Sequence, residues 1–397
     1  MTTTPAHRRP RLSAVLREEE RVTPLELFFD LVFVLALTQC TALMAAVPSW
    51  EGLAQALLIM ALLWWSWSGY AWLTSVLDPE EGAVRIVMFA AMAAFLVCAL
   101  CVPTAFDDNA LLFACAYGAV RLAHIGLFAL ASRDDPALRQ SVIALGMSTA
   151  VSVGLLAGAS ATDDVLQGAI WAVAIVLDFG GPYFFGISGW RIMPEHFAER
   201  FGLIVIIALG ESIVAIGVGA EVGVDAGVVA AAVLGTAGAA ALWWLYFDVV
   251  VIVATRHLAK AAPGSEQNAI GRDSYGYLHF PMIAGIVMGA MGLKKTIGDV
   301  GDSLELVPAV ALFGGAAVYL LAHVAFRLRN IGTLNRQRLG CAVLLCALIP
   351  LAKEVPSLAS LGILVGLLSA LIAYEAIRFS GARDRIRHQL AREAAAD

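Results

Sequence analysis

The chain has 397 residues, of which 60% are hydrophobic and only 15% charged, with a formal net charge of −6. Soluble domains are about half apolar and about a quarter charged, so this composition excludes an ordinary water-soluble globule. The small negative charge excludes nucleic acid as a partner.

In chain order, residues 1–24 are polar and basic. Leu12, Val15 and Leu16 stand among Arg11, Arg17 and Glu18 to Glu20, the pattern of a short amphipathic surface helix or of a solvated tail. No small-residue cleavage site follows a short apolar region, so the first span reads as both signal and anchor. A bilayer crossing needs ~20 apolar residues. On that measure there are twelve runs: 25–46, 52–76, 83–103, 109–131, 138–159, 163–184, 198–219, 226–255, 276–298, 305–326, 339–353 and 358–379. The eighth is long enough to continue past the membrane, and the eleventh is short and ends in Lys353-Glu354. The six cysteines (Cys40, Cys98, Cys101, Cys115, Cys341, Cys346) all fall inside apolar runs. They lack zinc-ligand spacing and disulfide clustering, and read as packing residues.

Placing both termini in the cytoplasm puts all but four of the 26 Lys and Arg residues on that side. The exceptions are Arg121, Lys294, Lys295 and Lys353, while the opposite loops are short and acidic. This is the positive-inside pattern, and it calls for an even number of spans.

The chain also repeats itself. The helix-length run from Glu26 and Asp30 to Gln39 has a counterpart from Glu199 to Glu211 and Ser212. Leu63-Trp64-Trp65 returns as Leu242-Trp243-Trp244, Leu122-Ala123-His124 as Leu321-Ala322-His323, and Asp178 as Glu375. The echoes keep their order at a spacing of ~170 to 200 residues, a sign of internal duplication. Six spans per copy make the copies parallel, about a pseudo-two-fold axis along the membrane normal. The expectation is an all-α polytopic membrane protein: a cytoplasmic segment 1–24, six-helix repeats over 25–186 and 187–379, and a basic tail 380–397. Gly285-xxx-Gly289 and Ala231-xxx-Gly235-xxx-Ala239 are spacings that let helix backbones approach closely.

Ionisable groups inside spans are costly and mark candidate sites. At 1.5 Å per residue, Asp30, His124, Asp178, Asp248 and Glu375 lie roughly 6 to 11 Å inside the cytoplasmic face. Glu26 and Glu199 lie at its rim, while Arg121 and Glu211 are nearer the middle. Together these nine residues form the candidate ion, proton or substrate path. Glu26 and Glu199 follow Pro24 and Pro194, where an acid also suits a helix N-terminus. Arg121 is the only arginine counted at depth, with Asp178, Asp30 or Glu211 as its partner. The resulting excess of carboxylates favours a cation path. Trp64, Trp65, Trp67, Trp243, Trp244 and Tyr246 read as packing or an interface belt rather than a cation cage. There is no His-Glu-x-x-His, Gly-x-Ser-x-Gly, Walker A or dinucleotide fingerprint, so no enzyme activity, cofactor or metal is expected.

Three segments carry a resemblance: Arg21-Val-Thr-Pro-Leu-Glu-Leu-Phe-Phe-Asp-Leu-Val-Phe-Val-Leu-Ala-Leu-Thr-Gln39, His196-Phe-Ala-Glu-Arg-Phe-Gly-Leu-Ile-Val-Ile-Ile-Ala-Leu-Gly-Glu-Ser-Ile-Val214 and Tyr277-Leu-His-Phe-Pro-Met-Ile-Ala-Gly-Ile-Val287. They resemble the bacterial low-temperature-requirement A family. The resemblance implies a bacterial inner-membrane protein associated with growth in the cold, and supplies no substrate or catalytic residue. A fainter similarity is to potassium channels of two six-helix repeats, whose first helix carries Phe-Ser-Asp. Phe28-Phe29-Asp30 occupies that place here without the serine. The expected function is a gradient-driven or passive transporter or channel for a cation or small solute. The alternative is a non-transporting membrane protein of cold adaptation that binds lipid or a protein. The expected partners are the bilayer and that solute, and a homo-oligomer is compatible with either reading.

Overall fold

In the computed structural model the described residues are 21–80 and 82–381. The amphipathic stretch at residues 12–16 and nearly all of the basic tail lie outside them. Among the described residues the fold is all-helical, without a strand. The helices are α1 (Pro24–Ala46), α2 (Trp50–Thr74), α3 (Gly82–Cys101), α4 (Ala110–Ala131), α5 (Pro136–Ala159), α6 (Asp164–Phe184), α7 (Pro194–Gly219), α8 (Ala226–Phe247), α9 (Val250–Lys260), α10 (Ser265–Ile270), α11 (His279–Gly298), α12 (Leu306–Ala309), α13 (Gly315–Ile331), α14 (Arg336–Ala347), α15 (Ile349–Ala352) and α16 (Ser357–Arg378).

Local chemistry sets the ends. Thr23 precedes Pro24 and Glu26 in a capping box. The Glu26 N–H donates to Thr23 Oγ1 (3.3 Å), and the Thr23 N–H donates back to Glu26 Oε2 (2.8 Å). Asp135 caps α5 through the Ala137 and Leu138 amides, with Pro136 in the first turn. Asp225 caps α8, and Asn335 caps α14.

Eleven helical segments among the described residues are long and apolar enough to cross a membrane, and the protein is a polytopic membrane protein. The long eighth segment, Ala226–Lys260, breaks after Phe247, where Val249 leaves the helix at φ −138° to separate α8 from α9. The run expected as an eleventh span at 339–353 is not among these eleven. It folds as α14 and the four-residue α15. Pro350 has no N–H to offer and its ring crowds the preceding turn, so the α ladder stops at Leu348. Two segments widen into π-helical turns, at Gly271–Tyr277 between α10 and α11 and at Val310–Gly314 between α12 and α13.

The fold forms two compact units, and the division falls within α1, α2, α7 and α10 and between α9 and α10. The first comprises residues 21–33, Trp65–Phe197 and Pro263–Asn268. There α3 packs on α4, α4 on α5 and α5 on α6. Phe29, Phe33, Tyr70 and Phe95 form its aromatic core, with ring centroids 4.8 to 5.9 Å apart. The second comprises Val34–Trp64, Ala198–Ala262 and residues 269–381. There α11 packs on α13, α13 on α14, α14 on α16 and α16 on α8. Small residues set its closest approach. A Cβ on Gly285 would lie 2.5 Å from the Gly315 carbonyl, and one on Gly292 2.6 Å from the Leu312 amide nitrogen. Gly285 therefore marks a close helix crossing, whereas a Cβ on Gly289 would meet nothing within 4 Å.

Candidate functional site

In the first unit, Arg121 on α4 and Asp178 on α6 form a fully buried ion pair (2.9 Å). Thr149 on α5 accepts from Arg121 (2.9 Å) and donates to Asp178 (3.1 Å), and the Tyr117 hydroxyl donates to the other carboxylate oxygen (2.6 Å). Of the three partners considered for Arg121, the structure selects Asp178. His124 lies one turn along α4 between the rings of Tyr70 (5.3 Å) and Phe128 (5.0 Å). Neither of its ring nitrogens has a hydrogen-bond partner among the described residues. Room for the imidazole depends on Gly69, where a Cβ would stand 2.9 Å from His124 Cε1.

Two more predicted residues sit in this unit. Asp30 is buried and accepts from Trp67 Nε1 (2.8 Å), which gives Trp67 a polar role within the packing. Glu26 serves both as a cap and as a partner. Its Oε2 completes the capping box, and its Oε1 lies 2.8 Å from His196 Nε2. Ser75 lies 3.4 Å from His196 Nδ1 and accepts the Met193 amide (3.2 Å), tying the start of α7 to the end of α2. His196 was not among the expected site residues, although it opens the second family-like segment.

In the second unit, Glu211 on α7 is 2% exposed and accepts from the Thr38 hydroxyl (2.7 Å). It makes no ion pair among the described residues, and Lys294 of α11 is the cation within electrostatic reach. Glu199 is exposed on the same helix and joins none of these clusters.

Asp248 and Glu375 come together in the wall of a cavity of about 280 Å³. Its base is an ion pair absent from the sequence expectation. Arg338 donates from Nε to Glu375 Oε1 (3.0 Å) and from Nη2 to Oε2 (2.9 Å), the two-pronged geometry suited to a carboxylate. Arg338 Nη1 reaches the Leu245 carbonyl (3.1 Å) and His323 Nδ1 (3.0 Å). Guanidinium can only donate, so His323 Nδ1 accepts and the ring hydrogen sits on Nε2. Asn335 adds a further donor to Glu375 (3.2 Å).

Arg338 at 7% and Arg200 at 1% exposure correct the count of one buried arginine. The positive-inside pattern places both on the cytoplasmic side. The available signal was position, since Arg338 lies one turn inside α14, three residues after its cap. With Arg338 on Glu375 and Arg121 on Asp178, the carboxylate excess shrinks, and with it the charge-count argument for a cation path. Trp64 is buried with its Nε1 on the Gly276 carbonyl (2.7 Å), whereas Trp243 and Trp244 are exposed, as packing and belt residues respectively would be. The cysteines are all unbridged, with Cys40, Cys98 and Cys101 buried. Among the described residues no cluster of His, Cys, Asp and Glu could hold a metal ion.

A profile described as bacterial low temperature requirement A protein matches residues 21–373. An uncharacterized protein, RA0937, from Rhizobium meliloti (strain 1021) is 32% identical over 310 residues, covering 74% of each chain. No solved structure matches the chain. The match across nearly the whole length of the fold, with its apolar helices and buried charges, places this chain in the bacterial low temperature requirement A family.

Proposed function

We propose that the protein is a gradient-driven or passive transporter or channel for a cation or small solute, resident in the bacterial inner membrane and associated with growth at low temperature. It carries no catalytic role in this reading. Glu211 is the observation that supports it best. A carboxylate this deep within a span, held by the Thr38 hydroxyl and without an ion-pair partner among the described residues, is expensive to keep for packing alone.

The distribution of basic residues supports cytoplasmic termini. That orientation requires residues 336–352 to cross as a short twelfth segment. At ~1.5 Å per residue they span roughly 25 Å, which a locally thinned bilayer accommodates. The duplication is supported by the matching neighbour order, α3–α4–α5–α6 in one unit and α11–α13–α14–α16 in the other. A buried acid near the end of the last helix of each set adds to it, each paired with an arginine, from the second helix of one set and the third of the other.

Those satisfied pairs also favour the second reading, a non-transporting protein in which buried charge is structural. Flux separates the two. Purified protein in liposomes under imposed K⁺, Na⁺ and H⁺ gradients should pass one of them, and Glu211→Gln should abolish that flux while eluting as folded protein. Undiminished flux in the variant refutes the role of Glu211. Absence of flux in the wild type under every gradient, and with small organic solutes, favours the structural reading.

A further inference from the structure

The cavity beside Arg338 is built from two kinds of surface. The buried base is polar with its charges paired: both Glu375 oxygens are occupied, and Arg338 spends donors on Glu375, Leu245 and His323, while the His323 Nε2 hydrogen has no acceptor among the described residues. Such a base does not recruit a charged ligand. Above it the wall is apolar and aromatic, with Val250 and Val253 of α9 opposite Phe326 of α13. At the lip, Trp244, Ile331 and Phe379 are each more than a third exposed. Two exposed arginines stand with them. Arg327 lines the cavity and, among the described residues, donates from its Nε to Thr333 (3.0 Å). Arg378 lies over the Phe379 ring at 6.0 Å. The acids in this wall are Glu375, neutralised by Arg338, and half-buried Asp248.

We infer that this cavity is a binding site for one anionic phospholipid. An acyl chain fills the apolar wall, and the phosphate is held at the lip by Arg327 and Arg378. The arginines outnumber the acids at the cavity and its lip, and tryptophan beside arginine is the chemistry of the headgroup level. At about 280 Å³ the space falls just under the ~300 to 1,000 Å³ typical of drug-sized ligands, and suits part of one chain.

The test is lipid retention by native mass spectrometry, with thermal unfolding in nanodiscs of phosphatidylglycerol or phosphatidylcholine. Two arginines near a membrane surface predict a preference for phosphatidylglycerol of roughly 30-fold, which is about 2 kcal/mol. Arg327→Gln should reduce it to about 5-fold, and the Arg327→Gln/Arg378→Gln pair should remove it while unfolding in phosphatidylcholine is unchanged. Val253→Trp fills the wall, leaves both arginines, and should lose the retained lipid. Equal retention of the two lipids, or a preference surviving in the double variant, overturns the site. Lipid retained by Val253→Trp overturns the placement of the chain. Protection by inorganic phosphate equal to that by phosphatidylglycerol assigns the arginines to free phosphate and overturns the lipid.

Discussion

Removing the charge of Arg121 is the sharpest test of how the first unit is held together. Arg121→Met deletes the bonds to Asp178 and Thr149 and leaves a 0%-exposed carboxylate with two hydroxyl donors, Tyr117 and Thr149, and no counter-charge. Breaking a buried pair from one side typically costs about 3 to 5 kcal/mol. The two remaining hydroxyls soften that loss, so the lower end, about 3 kcal/mol, is expected. Asp178→Leu should cost at least as much, because Arg121 Nε has no partner among the described residues and the guanidinium would lose its counter-charge while keeping Thr149. The double variant Arg121→Met/Asp178→Leu removes both charges and should lie within about 1 kcal/mol of wild type, since apolar replacement of a whole pair is often neutral or stabilising. Unfolding in mixed micelles titrated with SDS gives all four corners of the cycle. Additive losses, or a single Arg121→Met cost below about 1 kcal/mol, would refute the pair as a structural clamp.

Other outcomes follow from the same geometry. Gly292→Ala should destabilise by about 1 to 3 kcal/mol in the same assay, because its Cβ would meet Leu312 backbone atoms at 2.6 to 2.7 Å. Thr23→Ala should cost about 1 kcal/mol through loss of the capping box, with a larger loss on Glu26→Ala, which also strips His196 of its carboxylate. Arg338→Lys should destabilise despite keeping the charge, since one ammonium cannot reproduce the fork to Glu375 together with the bonds to Leu245 and His323. Full stability in Arg338→Lys would show that the fork geometry is dispensable.

Much of this fold is readable from residues because lipid permits few alternatives: a long apolar run must satisfy its own backbone and becomes a helix. The break inside 339–353 is less readable, since apolarity runs on through Pro350 while the helix does not. Side-chain partners are a different matter. Arg121 and Asp178 are 57 residues apart, and nothing local distinguishes Asp178 from Asp30 as a partner; only packing of α4 against α5 and α5 against α6 does. Arg338 was hidden by its neighbours, since Arg327, Arg329 and Arg336 around it are exposed. Thr23-Pro-Leu-Glu26 is the reverse case, where the capping pattern stands in the sequence and the histidine that completes the site lies 170 residues on.

The wide turn at Gly271–Tyr277 has a consequence for how this chain can change. A π turn holds one residue more than the α-helical path needs, so it behaves as an insertion frozen into the helix. Deleting one residue there would let the ladder close as ordinary α-helix, with the turns on either side close to their present phase. The same deletion in a regular stretch of helix would instead turn everything before it by about 100° relative to everything after it. His279 now receives the Tyr246 hydroxyl at 2.7 Å and gives its other nitrogen's hydrogen to the Ser274 carbonyl at 2.9 Å, bridging the two sides of that seam. A shortened chain would keep its hydrophobicity, its span and its phase yet reshape the Ser274 end of that bridge, so the extra residue serves a local contact rather than the need to reach across the bilayer.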